Sequence, residues 1–167
     1  AIIAVTVTDA GLDGTPGTGD DASVQKTFTV TVRGVNDAPT LADISDPAAV
    51  DEDAGAQTVN LSGITAGVGE NQALTVTATS SNTALISDPV VTYTSGDPTG
   101  SVAYTPLSNA NGTAIITVTV TDDGLDGTLG NVDDRSVTKT FTVTVNAVND
   151  APTLADISDP AAVDEDA

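Results

Sequence analysis

The chain repeats itself at an offset of 113 residues. Residues 1–54 align with residues 114–167, and 45 of the 54 pairs are identical; residues 35–54 match residues 148–167 without a break. A period of this length is too long for one turn of a solenoid and suits one whole domain per repeat. We therefore predict a tandem array with three parts. Residues 1–34 are the C-terminal strands of a preceding repeat, residues 35–148 a complete repeat, and residues 149–167 the N-terminal strand of the following repeat.

Within the repeat, apolar and polar residues alternate with a period of two. Val118 and Val120 alternate with threonines, and so do Val143 and Val145. This period indicates strands with one buried face and one solvent-facing side. Turn-forming residues separate further predicted strands at 41–50, 57–64, 73–80, 85–94 and 100–106. The pattern predicts an all-β fold, a seven-stranded antiparallel β-sandwich of immunoglobulin type.

Composition excludes several classes of function. The chain has no Cys and no His, so thiol catalysis, zinc–thiolate sites and imidazole general bases are absent. Four Lys and Arg residues against 24 Asp and Glu residues give a net charge of −20, which excludes a surface for nucleic acid. No apolar run is long enough to insert in a membrane. Because the acidic pairs lie in loops with no sign of a cleft, we expect no enzymatic activity.

The carboxylates are clustered in loops. Neighbouring carboxylates about 4 Å apart repel by roughly 1 kcal/mol in water, so clustering favours a bound cation, and hard oxygen ligands suit Ca²⁺. Plain solvation of a negatively charged surface is the alternative. The candidate calcium ligands are Asp9, Asn36, Asp37, Asp51, Glu52, Asp53, Glu70, Asp122, Asp123, Asp126, Asp133, Asp134, Asn149 and Asp150.

The order of strands in such a sandwich predicts which clusters meet. The hairpin loop 122–135 and Glu70 are expected at the upstream junction, where the chain enters the domain at Asn36 and Asp37. The acidic turn 51–53, with Asn109 and Asn111, is expected at the downstream junction at residues 149–150. The motif DGLDG at 123–127 lacks the length and terminal Glu of an EF-hand loop. It is either a site for a second ion or a glycine-rich turn.

Three motifs carry a resemblance to a known family. VNDAP at 35–39 and 148–152, DED at 51–53, and VTVTD at 5–9 and 118–122 resemble the tandem cadherin-like and immunoglobulin-like repeats of giant bacterial surface adhesins. The resemblance implies an extracellular, cell-surface location. It also implies calcium ligands at Glu52, Asn149, Asp150 and Asp122, with Asp37 and Asp9 as copies. The cadherin DRE element is missing, and the DAD element has no counterpart beyond Glu70.

Together these observations predict a structural extender of a large bacterial adhesin, with calcium making the junctions between neighbouring repeats of the same chain rigid. The alternative is a self-associating subunit of a cell-surface fibre or biofilm matrix. In that case a neighbouring, identical chain would complete the strands at 1–34 and 151–167.

Overall fold

The computed structural model describes residues 1–165 and divides the chain into two units, residues 1–35 and the part that begins at Asn36. Asp166, the last residue of the second DED motif, lies outside the described residues. No helix in the described range is long and apolar enough to cross a membrane.

The first unit is a β-hairpin. Its strands are β1 (Ile2–Thr8) and β2 (Ser23–Thr29), which pair antiparallel with Ile3 opposite Phe28. Both strands are exposed along their whole length, because no second sheet covers either face within this unit.

The second unit is a sandwich of two sheets. Its strands are β3 (Val50–Asp51), β4 (Gln57–Ser62), β5 (Leu74–Ser80), β6 (Val90–Thr92), β7 (Thr99–Tyr104), β8 (Gly112–Asp122) and β9 (Ser136–Asn146). One sheet has the order β3-β9-β8-β5 and the other β4-β7-β6. The predicted all-β sandwich is confirmed. All strand pairs in this unit are antiparallel apart from β3, which pairs parallel with β9.

The core lies between the two sheets and follows the alternation in the sequence. Ile116 and Val118 of β8 and Val143 of β9 are completely buried, whereas the intervening threonines face outward. Leu61 of β4 and Val102 of β7 close the core from the other sheet. The apolar face of each sheet is thereby removed from water, which is the main stabilising contribution.

Two predicted strands are much shorter in the structure. Of residues 41–50, only Val50 belongs to a strand, because side chains rather than backbone atoms join this segment to β9: Asp43 Oδ1 lies 2.6 Å from Lys139 Nζ, and Asp46 Oδ1 accepts from Thr142 N at 2.6 Å. Of residues 85–94, only Val90–Thr92 is a strand. Pro89 has no N–H for a ladder hydrogen bond, so the strand begins after it.

Candidate functional site

Asp122 ends β8 with its side chain fully buried, 0% exposed. Its Oδ1 atom accepts three hydrogen bonds, from Asn36 Nδ2 at 3.0 Å, Gly124 N at 3.0 Å and Arg135 N at 2.9 Å. Two of these donors are backbone amides of the hairpin loop, and the third comes from the segment that enters the domain. Asp122 therefore connects the loop to the start of the domain.

Asn36 extends this network. Its Nδ2 atom also donates to the Asp133 carbonyl oxygen at 2.6 Å, and its Oδ1 atom accepts from Gln72 Nε2 at 2.9 Å. Asp37 N lies 3.3 and 3.1 Å from the two carboxylate oxygens of Glu70. The structure thus brings four predicted residues together. We call the set Asn36, Asp37, Glu70, Gln72 and Asp122 the upstream cluster.

Two oxygen atoms of the upstream cluster have no partner. Asp122 Oδ2 and Gln72 Oε1 are inaccessible to solvent and accept no hydrogen bond from the described residues. Leaving a buried acceptor unpaired costs about 1–3 kcal/mol, and more for a charged group. Both atoms can only accept, so a cation or an added donor would satisfy them. Glu70 and Gln72 also line a cavity of about 390 Å³, which Asp122 does not line.

The ligand types of the upstream cluster fit Ca²⁺. Carboxylate, amide and backbone carbonyl oxygens are the ligands that this ion uses, in flexible geometry. Over residues 1–165, no group of three Asp and Glu side chains is arranged to hold a metal ion, so amide or carbonyl oxygens would have to complete the coordination. Lys139–Asp43 is the one ion pair among the described residues. Among residues 1–165, no Lys or Arg side chain therefore forms an ion pair with the carboxylates of the upstream cluster.

Gln72 was not predicted from the sequence. A single Gln in a sequence does not indicate a metal ligand. Only its position two residues after Glu70 could have suggested that Gln72 belongs to the site.

The acidic turn 51–53 lies at the opposite end of the sandwich. Glu52 N donates to the Asn146 carbonyl oxygen at 2.9 Å, and Glu52 Oε1 accepts from Val148 N at 2.7 Å. Asp51 Oδ1 accepts from Asn146 Nδ2 at 3.3 Å. The turn therefore holds the chain as it leaves β9.

Asp53 and Asn109 complete this end. Asn109 N donates to Asp53 Oδ1 at 3.2 Å, and both residues have positive φ angles, 63° and 57°, which Asp and Asn tolerate better than most residues. Asn149 Nδ2 donates to the carbonyl oxygen of Asp150 at 3.2 Å. Across residues 1–165, no hydrogen bond joins Asn111, Asn149 or Asp150 to the acidic turn, and an ion site at this end stays a prediction.

The remaining carboxylates of the hairpin loop bind amides. Asp126 Oδ1 accepts from Thr128 N at 2.8 Å, Asp133 Oδ2 from Leu125 N at 2.9 Å, and Asp123 Oδ1 from Ala73 N at 3.0 Å. Asp134 Oδ2 accepts from the amides of the Gly130–Asn131 segment. These bonds hold the loop together, while Asp134 Oδ1 is buried with no hydrogen-bond partner among the described residues. Ion binding by these carboxylates stays a prediction. Among these four residues, only Asp126 accepts from an amide two residues later, which is the Asx-turn spacing that a sequence can indicate.

The first unit repeats this loop. Asp9 Oδ1 accepts from Gly11 N at 3.1 Å and from Ala22 N at 2.9 Å, as Asp122 does from Gly124 and Arg135. The amides of Ala22 and Gly11 hold the pKa of Asp9 below its usual value. The Thr18 hydroxyl, together with Leu12 N, lowers the pKa of Asp20 in the same way.

The comparisons with known proteins include a structural similarity to an S-layer protein. No protein-family model matches the chain, and no curated protein sequence matches it either. The chain is similar to the crystal structure of domains 4 and 5 of the S-layer protein SbsC, with a TM-score of 0.41 and 16% sequence identity. The similarity covers 74% of this chain and 63% of that one, so less than two thirds of the S-layer fragment is spanned.

Proposed function

We propose that the chain is a non-catalytic segment of an extracellular stalk, built from tandem β-sandwich domains on a bacterial surface. The observation that carries this proposal is the duplication: 45 of 54 aligned residues are identical, and both copies form a hairpin with the same register. A domain repeated almost unchanged along one chain adds length rather than a new specificity. The resemblance to adhesin repeats supports the surface location.

Within this function, Ca²⁺ would bind the upstream cluster. Asp122 Oδ2 and Gln72 Oε1 are the unpartnered acceptors, and Glu70, whose carboxylate accepts from Asp37 N, would supply a further carboxylate oxygen. The ion would offset the repulsion among these carboxylates and hold the entering segment against the hairpin loop. A junction held in this way bends less, so a string of domains becomes a rod. Extracellular calcium modules bind with Kd of about 10⁻⁴–10⁻³ M.

Thermal unfolding with and without calcium tests the site. With Kd near 10⁻⁴ M, about 10 mM Ca²⁺ adds roughly 2.7 kcal/mol to the free energy of unfolding, and Tm rises accordingly relative to excess chelator. Asp122→Asn should lose this rise, because the amide keeps an Oδ1 acceptor but removes the charge. The control Asp159→Asn changes the same charge at an exposed position and should keep it. Equal Tm values for the wild type in calcium and in chelator would refute the calcium site. They would not contradict the proposed stalk function.

Scattering from three consecutive repeats tests the stalk. We expect a monomeric rod that grows by about 35–45 Å per domain, as estimated from strands of about ten residues. A compact particle of the same mass would contradict the stalk.

The second candidate is a self-associating subunit of a fibre or biofilm matrix. The mass of the three-repeat protein separates the two functions, because a fibre subunit assembles where a spacer stays monomeric.

A further inference from the structure

The first segment of the second unit lies along its last strand. Asp43 Oδ1 lies 2.6 Å from Lys139 Nζ, and Asp46 Oδ1 accepts a hydrogen bond from Thr142 N at 2.6 Å. In both contacts the partner is 96 residues further along the chain. Because the offset is the same, the segment and β9 run side by side in the same direction.

The same register continues into the acidic turn. Val50 of β3 lies opposite Val145 of β9 in a parallel pair. Glu52 Oε1 accepts from Val148 N at 2.7 Å, and these two residues are again 96 residues apart. The contacts from Asp43 to Glu52 therefore follow one line along β9, which is about 30 Å long at the rise of a strand.

Side chains replace backbone groups over most of this line. The parallel ladder between β3 and β9 contains only two residue pairs. Further upstream, Pro47 has no N–H to donate to a ladder. We call the four contacts that carboxylate side chains make with β9 and the residues after it the carboxylate ladder; its members are Asp43, Asp46, Asp51 and Glu52.

We propose that the carboxylate ladder is a mechanical clamp, which keeps the sandwich closed when tension passes along the chain. The proposal rests on the stalk function, because a stalk transmits force from one domain to the next. The chain enters the sandwich at the upstream end, where Asn36 binds Asp122, and leaves after β9 at the downstream end. Tension therefore pulls the two parallel segments past each other and acts on all four contacts at once.

Force in a second direction would not be shared in this way. Gly112 pairs with Val145 close to the end of β9, so Asn111 lies at the same end of the sandwich as the residues that follow β9. Force applied between these two points acts on the last pair of the β8–β9 ladder and opens the pairs one after another. The sandwich should therefore withstand a larger force along the chain than across this end.

Single-molecule pulling tests the difference between the two directions. The chain has no Cys, so two introduced cysteines define the points of attachment. Val35→Cys/Ala151→Cys applies force along the chain, and Asn111→Cys/Ala151→Cys applies it across the downstream end. Both variants are measured in excess chelator, which removes any contribution from calcium. We expect the second unit to unfold at a higher force along the chain, and equal forces in both directions would overturn the proposal.

Substitutions in the carboxylate ladder test which contacts resist the force. Along the chain and at a fixed force, Asp46→Ala should unfold about tenfold faster, because a hydrogen bond to a charged group is lost. Asp43→Ala should have a smaller effect, because the Asp43 side chain is 92% exposed. Across the downstream end, Asp46→Ala should change the unfolding rate by no more than about twofold.

Asp88 provides a matched control outside the carboxylate ladder. Asp88 Oδ1 also accepts from a strand amide, Ser80 N, at 2.9 Å, but on β5. Asp88→Ala should leave the unfolding rate along the chain unchanged. The proposal is overturned if Asp46→Ala and Asp88→Ala have equal effects along the chain, or if Asp46→Ala accelerates unfolding equally in both directions.

Failure of the clamp and failure of the stalk give different results. A three-repeat rod whose domains unfold at equal force in both directions would overturn the clamp alone. A compact three-repeat particle in the scattering experiment would contradict the stalk, whatever the pulling experiment shows.

Discussion

Asp122 shows how one side chain joins distant parts of this chain. A fully buried carboxylate is rare, and it is tolerated here because Oδ1 accepts three hydrogen bonds. One donor, Asn36, is 86 residues away in the sequence, whereas Gly124 and Arg135 belong to the same loop. The local bonds shape the loop, and the long-range bond anchors it to the domain.

Removing this carboxylate should destabilise the sandwich. Asp122→Ala leaves three donors without an acceptor and should lower the free energy of unfolding of the second unit by about 3 kcal/mol, measured by urea denaturation. Asp9→Ala is the matched control, since Asp9 makes the two local bonds in the exposed hairpin. Asp9→Ala should leave the free energy of unfolding of the second unit unchanged. An equal decrease in both variants would contradict the stabilising role of buried Asp122.

The exposed loop of the first unit should loosen in acid. The pKa values of Asp9 and Asp20 are lowered from 3.8 by hydrogen bonds, so their contribution is present above pH 3.8 and is lost as pH falls through the lower folded-state pKa. The amide chemical shifts of Leu12 and Ala22, followed by NMR, should move in this pH range. In Asp20→Asn the Leu12 transition should disappear and the Ala22 transition remain; persistence of both would show that another group titrates.

At the scale of elements, the hairpin with its acidic loop is encoded locally. The same register and the same carboxylate–amide bonds occur in the first unit, where no sheet covers the hairpin, and in the second, where one does. Alternating Thr and Val set the strands, and Asp and Gly set the turns, so neither needs a tertiary partner to be specified.

At both ends of the edge strand β5, a side chain accepts a hydrogen bond from a backbone amide of the strand. Leu74 N donates to Ser95 Oγ at 2.8 Å, and Ser80 N donates to Asp88 Oδ1 at 2.9 Å. These contacts satisfy amides that an edge strand would otherwise offer to another chain.

Loss of these two contacts should expose the edge. In Ser95→Ala/Asp88→Ala, we expect amide hydrogen exchange at positions 74 and 80 to accelerate by about fivefold, because each bond contributes about 1 kcal/mol. Ser101→Ala removes a hydroxyl from the other sheet and serves as the control. Unchanged exchange rates at positions 74 and 80 in the double variant would contradict this role, because they would show that the two side chains do not protect these amides.

At the scale of the whole molecule, equivalent residues of the two hairpins contribute differently to the free energy of unfolding. Phe141 is 2% exposed and Phe28 is 54% exposed. Phe141→Ala should cost the second unit about 3–5 kcal/mol by urea denaturation, because it removes a ring from a packed core. Phe28→Ala should leave that transition in place. A similar loss from both would mean that the first hairpin also stabilises the second unit.

The sequence alone determined the all-β class, the paired hairpins and the placement of most acidic residues, because period-two alternation and turn residues act over a few positions. It overestimated the strands at 41–50 and 85–94, where Asp43, Asp46 and Pro89 replace or remove ladder bonds. In the hairpin loop, Asp126 and Asp133 accept hydrogen bonds from loop amides, and their assignment as ion ligands stays a prediction.

Only the tertiary structure decided which copy of the hairpin is buried, since residues 1–34 and 114–147 differ at none of the buried positions. It also decided that Asp122 loses its solvent and meets Asn36, while Asp9, the equivalent residue of the first unit, stays exposed. The physical reason is the same in both cases. Burial depends on which distant segments cover a face, and a local stretch of sequence does not contain that information.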